Sequence, residues 1–465
     1  MARCLKLSSV LGICARRYST RSANTSTSLP KPLSENVVYK SHNAFNRKAP
    51  LPVGAIQSIE RLYSRKKEVS HLLNTRRHTQ AIAGERIRQA GKDQDARHAA
   101  LQEAKELKSE ISQLERDLVL VDDQLFSLAL AVPNDTHPLT PLGPESAAVI
   151  LSTHGPKPMP ASPLRDHVSV SRDLGLLNFE AGATVTGSSW YYLLHEAALL
   201  EMALTNYGLS IALKHGFTPV ITPDVVRSDV AHRCGFQPRD NNADPPVSQM
   251  YHLSGDSSSS SHLHPELVLS GTAEIPLAGM FANEILPFEA LPRKVVGLGR
   301  AFRAEAGARG AETRGLYRVH QFTKLELFAV SQADRSEELM DEMRLRADRN
   351  FHWAWVPFPE LGASAYRKFD IEAWMPGRDY TSATALLQPP ILCPTSTTLP
   401  FAHTLNGTAV AVPRLIVALL ENGAIFNDSG QVVGISLPVA LRPFWPQMYS
   451  REIVRFSGRT VVQWA

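Results

Sequence analysis

The stretch FRAEAGARGAETRGLYRVHQFTKLELF, residues 302–328, combines strand-like apolar alternation with many charges. Arg303 and Glu305 are two residues apart, so on a strand they would share one face. The glycine-rich part AGARGAETRG predicts a loop, and VHQFTKLELF predicts an antiparallel return strand. The stretch therefore predicts a charged β-hairpin rather than a purely structural strand.

A hairpin of this composition suits a nucleotide. Because a guanidinium binds two phosphate oxygens at once, Arg303 is predicted to hold an α-phosphate, with Glu305 or its backbone reading the adenine amino group. On the return strand Gln321 and Phe322 are predicted to border the adenine, and Glu326 to lie further into the same cavity. The sequence contains neither GxxxxGK(S/T) nor GxGxxG, which excludes a P-loop or Rossmann phosphate site. A charged hairpin without a ligand is the alternative.

The bulk composition is that of an ordinary soluble globular protein: 465 residues, 43% hydrophobic, 20% charged and a net charge of +4. The most apolar run, residues 408–420, is broken by Pro413 and Arg414, so the sequence predicts no membrane span. The chain has four cysteines, and none has the spacing of a zinc site. This favours unpaired thiols in a reducing compartment and leaves any metal site unassigned.

The first 34 residues are rich in Arg, Lys, Ser and Thr and contain no acidic residue; Glu35 is the first. That composition is typical of a mitochondrial transit peptide, which would be excluded from the fold and would direct the protein to the matrix. A disordered tail is the alternative.

Residues 56–125 predict a helical hairpin whose tip lies at 90–93 and whose second helix stops before Pro133. The second helix has an apolar seam at Leu101, Ala104, Leu107, Ile111, Leu114, Leu118, Val121 and Leu125. The first helix is strongly basic, and the arginines Arg76, Arg77, Arg86 and Arg88 are candidates for contacts with a phosphate backbone. A solvated coiled-coil face is the alternative. The expected organisation is an N-terminal domain at 35–135, a Pro-rich linker at 136–164 and a catalytic domain at 165–465.

Several long segments, in order, resemble class II aminoacyl-tRNA synthetases, and seryl-tRNA synthetases in particular. Residues 302–328 resemble motif 2, HGFTPVITPDVV (215–226) resembles motif 1, and GTAEIPL (271–277) resembles the serine-binding TxE segment. HTLNGTAVAVPRLIVALLEN (403–422) resembles motif 3, and the hairpin resembles that family's tRNA-binding coiled coil.

The resemblance implies an α+β fold, an antiparallel-sheet catalytic domain with an N-terminal helical-hairpin arm, and a homodimer. It implies a two-step reaction: serine and ATP form seryl-adenylate, and the seryl group then passes to tRNA(Ser). Arg303 would hold the α-phosphate and the substrate carboxylate, and Arg414 would bind the γ-phosphate. The implied nucleotide pocket contains Arg303, Ala304, Glu305, Val319, His320, Gln321, Phe322 and Arg414. The implied serine pocket contains Thr272, Ala273, Glu274, Glu326, Asn406 and Thr408.

One segment departs from the family pattern. The family carries a glutamate there that helps hold ATP and Mg²⁺, whereas residues 381–402 contain no acidic or basic residue. We favour a wrongly translated or mis-spliced piece of the gene as the explanation. The alternative is a catalytically impaired relative that keeps tRNA or protein binding through the arm.

Overall fold

The computed structural model describes residues 4–7, 36–49, 51–89, 93–141, 149–153, 157–236, 248–253, 266–304, 314–347, 354–357, 361–378, 380–388, 401–446, 453–455 and 458–465. The chain forms two compact units. One is Gly12–Pro133, and the other combines Met1–Leu11 with Asn134–Ala465.

The smaller unit is a helical hairpin preceded by a short helix. Its helices are α1 (Val37–Asn46), α2 (Ala55–Gln89) and α3 (Gln94–Ala131). The Asp93 side chain accepts a hydrogen bond of 3.1 Å from the Ala96 N–H and so caps α3. The helix ends two residues before Pro133, as the sequence predicts. At 1.5 Å per residue, α2 is about 50 Å long, too thin an element for an enclosed site.

The hairpin seam differs from the predicted one near the tip. Leu107, Ile111 and Leu125 are buried, but Leu101 is 49% exposed and the neighbouring Ala100 is buried in its place. Positions 100 and 101 match the apolar spacing of the seam equally well. Only the packing of α3 against α2 decides which of the two residues faces inward. The prediction for Leu101 is therefore wrong.

The larger unit is built on a nine-stranded, mostly antiparallel sheet. Seven of its strands lie in the order β11, β12, β13, β14, β10, β9 and β4, and two short strands, β1 and β8, extend it beside this path. The seven strands are Ala354–Pro357 (β11), Phe369–Met375 (β12), Tyr380–Gln388 (β13), Phe401–Ala411 (β14), Gln321–Ser331 (β10), Arg293–Phe302 (β9) and Thr218–Ile221 (β4). β4 pairs with β9 in parallel and is the last strand on that side. The arrangement confirms the predicted α+β fold.

The remaining strands form smaller sheets or extensions. β1 (Cys4–Leu7) pairs with β8 (Ile285–Pro287) and β14, and β2 (Leu177–Asn178) pairs with β3 (Tyr192–Leu193). β5 (Val225–Arg227), β6 (His252–Leu253) and β7 (Leu267–Leu269) form a three-stranded sheet. β15 (Ala424–Phe426), β16 (Val432–Leu437), β17 (Ile453–Arg455) and β18 (Gly458–Trp464) form a four-stranded sheet.

Helices cover both faces of the large sheet. They are α4 (His167–Leu174), α5 (Phe179–Val185), α6 (His195–Lys214), α7 (Ser228–Arg233), α8 (Glu274–Met280), α9 (Ser336–Ala347) and α10 (Val412–Gly423). The main core joins α6 and α10 to β10, β12 and β14, and a second core joins α8 to the other face of β9 and β10. The second face is the one that carries the candidate site.

The segment that resembles motif 1, residues 215–226, is divided between two strands and follows a long helix. α6 starts at His195, since Tyr192–Leu193 belongs to β3, and residues 217–226 are divided between β4 and β5. A Cβ on Gly208 would lie 2.5 Å from Val410 Cγ2, so this glycine allows α6 to pack closely against β14.

Two observations concern location. Four residues of the segment predicted to be a transit peptide, Cys4–Leu7, form β1, although the sequence prediction excluded this segment from the fold. Among the described residues, no helix combines the length and apolar character that a membrane crossing requires.

Candidate active site

The predicted charged hairpin is formed by β9 and β10 in a regular antiparallel register. Gln321 lies opposite Phe302 and Glu326 lies opposite Gly297. Arg303 follows β9 directly, and its N–H donates to the His320 carbonyl at 2.8 Å, which extends the pairing by one residue. Glu305 and the rest of residues 305–313 lie outside the described residues.

Two glycines of β9 make room for a short helix on the sheet. A Cβ on Gly297 would lie 2.8 Å from Leu277 Cδ1, and one on Gly299 would lie 3.1 Å from the Ala273 Cβ. Since Gly299 is opposite Lys324 and Gly297 is opposite Glu326, α8 begins on the face that carries these two charged side chains.

The segment before α8 is fixed to the end of β9. The Phe302 N–H donates to the Ser270 carbonyl at 2.9 Å, and the Arg303 Nε–H donates to the Gly271 carbonyl at 3.4 Å. Thr272 is buried, and its hydroxyl oxygen accepts from the Glu274 N–H at 3.4 Å. These contacts place Glu274 at the start of α8, with the buried Ala273 beneath it.

Glu326 is fully buried and interacts through one oxygen. Its Oε2 lies 2.8 Å from the Lys324 Nζ and accepts from the Thr408 hydroxyl at 3.3 Å. Its Oε1 is buried and has no hydrogen-bond partner among the described residues. Leaving a buried carboxylate oxygen unpaired is costly, so an orphan of this kind marks a place for a ligand donor.

The carboxyl group of Glu274 is strongly perturbed. Burial, together with the negative charge of Glu326, raises its pKa to about 8, whereas the positive charges of Lys324 and Arg303 oppose the rise. Together with Glu274 these groups come from three separate segments of the chain, and three of the four act on the carboxyl of the fourth. The fold therefore brings two carboxyl groups and two cationic side chains together at the start of α8.

The predicted nucleotide side lies next to this pocket. The Arg303 guanidinium is 5.3 Å from the centre of the Phe322 ring. His320 hydrogen-bonds through Nδ1 with the Tyr251 hydroxyl at 2.7 Å, and its ring stacks on Trp190 with centres 5.6 Å apart. Gln321 is half-buried, and the Ala304 N–H donates to the Gln249 carbonyl at 3.0 Å.

Val319 has a different environment from its predicted one. It is only 5% exposed and packs in the main core, so its side chain stabilises the fold. Only its backbone is placed to border a nucleotide.

The motif 3 residues lie on β14, the strand next to β10, and on the helix that follows it. Asn406 and Thr408 are buried on β14, opposite Phe328 and Glu326 of β10. Arg414 lies in the first turn of α10. Burial raises the pKa of Asp370 to about 6, and the positive charge of Arg414 opposes this rise.

Arg414 is therefore near β12. The register through β13 places Asp370 on the same face as Asn406, so the charge of Arg414 acts on a carboxyl of the site face.

A cluster with metal-type ligands occurs elsewhere in the larger unit, but hydrogen bonds already use it. Asp166, His167 and Glu421 have ligand atoms within 4.8 Å of one another. However, His167 Nε2 accepts from the Leu316 N–H at 3.1 Å, and Nδ1 lies 2.9 Å from Glu421 Oε1. Both ring nitrogens are thus engaged, and the cluster holds the end of the hairpin loop to α10.

On the arm, each arginine predicted to contact tRNA has an acidic partner. The distances are 2.9 Å for Arg76 to Glu110, 2.7 Å for Arg77 to Glu115 and 3.3 Å for Arg86 to Glu103. Arg88 pairs with Glu85 on its own helix. The basic helix is thus partly neutralised by α3, which charge counting along α2 alone does not reveal.

Four residues that shape the site were not predicted from the sequence: Lys324, Gly297, Gly299 and Trp190. A lysine two residues from a glutamate on a predicted strand was a usable signal, since the two side chains share a face. The glycines and Trp190 had no local signal, because their roles depend on residues distant in the chain.

Comparisons with known proteins agree with this architecture. Residues 257–437 match the family model for the tRNA synthetase class II core domain (G, H, P, S and T). The serine–tRNA ligase of Rubrobacter xylanophilus is 38% identical over 86% of this chain and 89% of that protein. The mitochondrial serine–tRNA ligase of Schizosaccharomyces pombe is 40% identical over 77% of this chain and 75% of that protein.

Among solved structures, the seryl-tRNA synthetase from Pyrococcus horikoshii complexed with ATP superposes with a TM-score of 0.67. The two chains are 28% identical, and the superposition covers 85% of this chain and 94% of the Pyrococcus chain. The shared sheet, the helical arm and the length of the sequence matches leave one assignment: this chain belongs to the seryl-tRNA synthetase family of class II aminoacyl-tRNA synthetases.

Proposed function

We propose that the protein is a serine–tRNA ligase that activates L-serine with ATP and transfers it to tRNA(Ser) in the mitochondrial matrix. The observation that carries this proposal is the pocket in which Glu274, Glu326, Lys324 and Arg303 converge beside Phe322. Such a pocket suits a small zwitterion next to a nucleotide.

In the proposed first step, Glu274 and the orphan Oε1 of Glu326 accept hydrogen bonds from the serine ammonium. Arg303 binds the serine carboxylate and the α-phosphate, and Phe322 stacks on adenine. A carboxylate oxygen of serine attacks the α-phosphorus, the bond to the bridging oxygen breaks, and pyrophosphate leaves with that electron pair. Positioning and charge neutralisation supply the rate, because the step needs little proton transfer.

Substrate selection follows from the same pocket. Asn406 and Thr408 are buried polar side chains, and we assign to them the contacts with the hydroxyl of serine. Alanine would leave such groups unpaired and is rejected for that reason, whereas threonine is rejected by size.

The γ-phosphate is assigned to Arg414, and the family's Mg²⁺ poses a separate question. β13, which runs from Tyr380 to Gln388, contains no carboxylate, so the residues at the family's metal position do not fit the ion.

This misfit favours a second candidate function, a tRNA-binding relative with impaired catalysis. Serine-dependent ATP–pyrophosphate exchange separates the two functions. The ligase proposal expects exchange that requires serine and falls at least about 100-fold in Arg303→Ala, since a charged contact to the reacting phosphate is lost. Absence of exchange from a chain confirmed by its transcript would favour the impaired relative.

The tRNA partner is assigned to the arm. Ion pairs as exposed as those of Arg76, Arg77, Arg86 and Arg88 contribute only about 0–1 kcal/mol each, so a phosphate can replace the carboxylate partner. Replacing the four arginines by alanine is expected to lower tRNA affinity at least about tenfold and to flatten its salt dependence, while serine-dependent exchange stays unchanged.

A matched control removes the same charge from the other helix of the hairpin. Its changed residues, all exposed on α3, are Arg97, Lys105, Lys108 and Arg116. Equal losses of tRNA affinity in the two quadruple variants would contradict a specific role for the basic face of α2.

Matrix location is proposed from the basic, acid-free first 34 residues, and relatives with both mitochondrial and bacterial names match the chain. A fluorescent protein fused after residue 40 is expected to enter mitochondria. A purely cytosolic signal would contradict import.

A homodimer is proposed from the motif 1 region. β4 is the last strand on its side of the sheet among the described strands, and its residue Ile221 is 92% exposed. Leu213 of α6 and Ile285 of β8 are also exposed. Apolar side chains on an uncovered sheet edge favour association with a second copy.

A further inference from the structure

Resting on the proposed function, we propose that Lys324 is a positioning residue of the serine pocket. It holds one oxygen of Glu326 so that the other stays available for the serine ammonium, and it offsets the repulsion between the two carboxylates that receive that ammonium.

The geometry of β10 is the first argument. Lys324 and Glu326 are two residues apart on one strand, so their side chains lie side by side on the site face. Lys324 is only 7% exposed, and its Nζ lies 2.8 Å from Glu326 Oε2. The residues opposite Lys324 on the flanking strands, Gly299 and Ala411, are both small and uncharged.

The division of labour between the two oxygens of Glu326 is the second argument. Lys324 and Thr408 both bind Oε2, whereas Oε1 has no partner among the described residues. A carboxylate held through one oxygen cannot rotate freely, because rotation would break both contacts. The free oxygen is thereby fixed in direction before the substrate arrives, which lowers the entropic cost of binding.

The charge balance is the third argument. Two carboxylates that share a site cannot both ionise easily, and one of them then takes up a proton. Three charged groups act on Glu274: Glu326 and Lys324 of β10, and Arg303 after β9. The Cys234 thiol after α7 also lies near Glu274, and burial together with the charge of Glu274 raises the pKa of this thiol. Lys324 opposes the rise in the pKa of Glu274, so it increases the fraction of Glu274 that is ionised and able to bind an ammonium.

The test compares Lys324→Met with Lys324→Arg in serine-dependent ATP–pyrophosphate exchange. In Lys324→Met we expect the KM for serine to rise about 10- to 100-fold, because a charged hydrogen-bond partner of Glu326 is lost. The KM for ATP should change little. It also expects the acidic limb of kcat/KM for serine to move to higher pH, because Glu274 keeps its proton longer. Lys324→Arg keeps the charge and is expected to restore much of the pH profile.

Lys294→Met is the matched control. Lys294 lies on the opposite face of the same two strands, where its Nζ is 2.9 Å from Glu342 Oε1. This variant removes a partly buried lysine–glutamate pair without touching the pocket, so it is expected to change stability but not the KM for serine or the pH profile.

The outcomes are separable. Unchanged serine KM and pH profile in Lys324→Met would overturn the inference while leaving the ligase proposal intact. A wild-type chain that neither exchanges nor binds serine in calorimetry would overturn both. If Lys324→Met does not fold, Lys324→Met/Glu326→Gln removes the uncompensated charge, and calorimetry is expected to show ATP binding without serine binding. Serine binding at wild-type strength by that double variant would overturn the inference.

Discussion

Glu274 is a carboxyl group whose surroundings oppose its ionisation. Its pKa is raised from 4.5 to about 8, first by burial and then by the charge of Glu326. The folded state therefore holds this proton over a pH range in which the unfolded chain has lost it. A raised carboxyl pKa contributes stability below pH 4.5 that is lost as the pH rises toward 8.

We expect Glu274→Gln to remove this pH dependence. Its Tm relative to wild type should be higher at pH 9 than at pH 5, since glutamine does not ionise, while serine-dependent exchange falls at least about 100-fold. Thermal unfolding at the two pH values measures the first effect, and pyrophosphate exchange measures the second.

Glu338→Gln, which changes an exposed carboxyl on α9, controls for the loss of one charge. If Glu274→Gln showed the same Tm difference from wild type at both pH values, the raised pKa would be contradicted.

At the scale of elements, the close approach of α8 to the sheet forms the proposed serine pocket. Gly299 permits that approach, because a Cβ there would lie 2.9 Å from Thr222 Oγ1 and 3.1 Å from the Ala273 Cβ. A shift of Ala273 would also displace its neighbour Glu274, so stability and substrate binding are coupled through one small residue.

We expect Gly299→Ala to destabilise the protein by about 1–3 kcal/mol and to raise the KM for serine, because the added methyl overpacks this contact. Chemical unfolding and exchange kinetics measure the two effects. Gly84 of α2 is the matched control, since a Cβ there would meet no atom within 4 Å. Gly84→Ala should instead stabilise the arm by up to about 1 kcal/mol through helix propensity, with no change in serine kinetics.

At the scale of the whole molecule, the exposed edge of the large sheet is the proposed homodimer interface. Ile221 of β4 is almost fully exposed, and β4 pairs on only one side among the described strands. A charge placed there would oppose pairing with a second copy while leaving the monomer core untouched.

We expect Ile221→Asp to shift sedimentation from dimer toward monomer at micromolar concentration, because an exposed apolar contact is replaced by a charge in the proposed interface. Leu253→Asp, at another exposed apolar position, on β6 outside the large sheet, is the control. A wild-type chain that sediments as a monomer would contradict the homodimer.

By itself the sequence determined the helical arm, the β9–β10 hairpin and the family of the fold. Each rests on a pattern that neighbouring residues set, such as the seam of α3, the loop glycines and the ordered motifs. It placed Phe322 and Glu326 in one cavity because strand periodicity is local. Only the tertiary structure decided that Ala100 replaces Leu101 in the seam and that Val319 belongs to the core. It also decided that acidic residues of α3 pair with Arg76, Arg77 and Arg86 of α2. It also decided that Lys324 and Arg303 act on Glu274, because burial and electrostatic interaction depend on segments that meet in space and not along the chain.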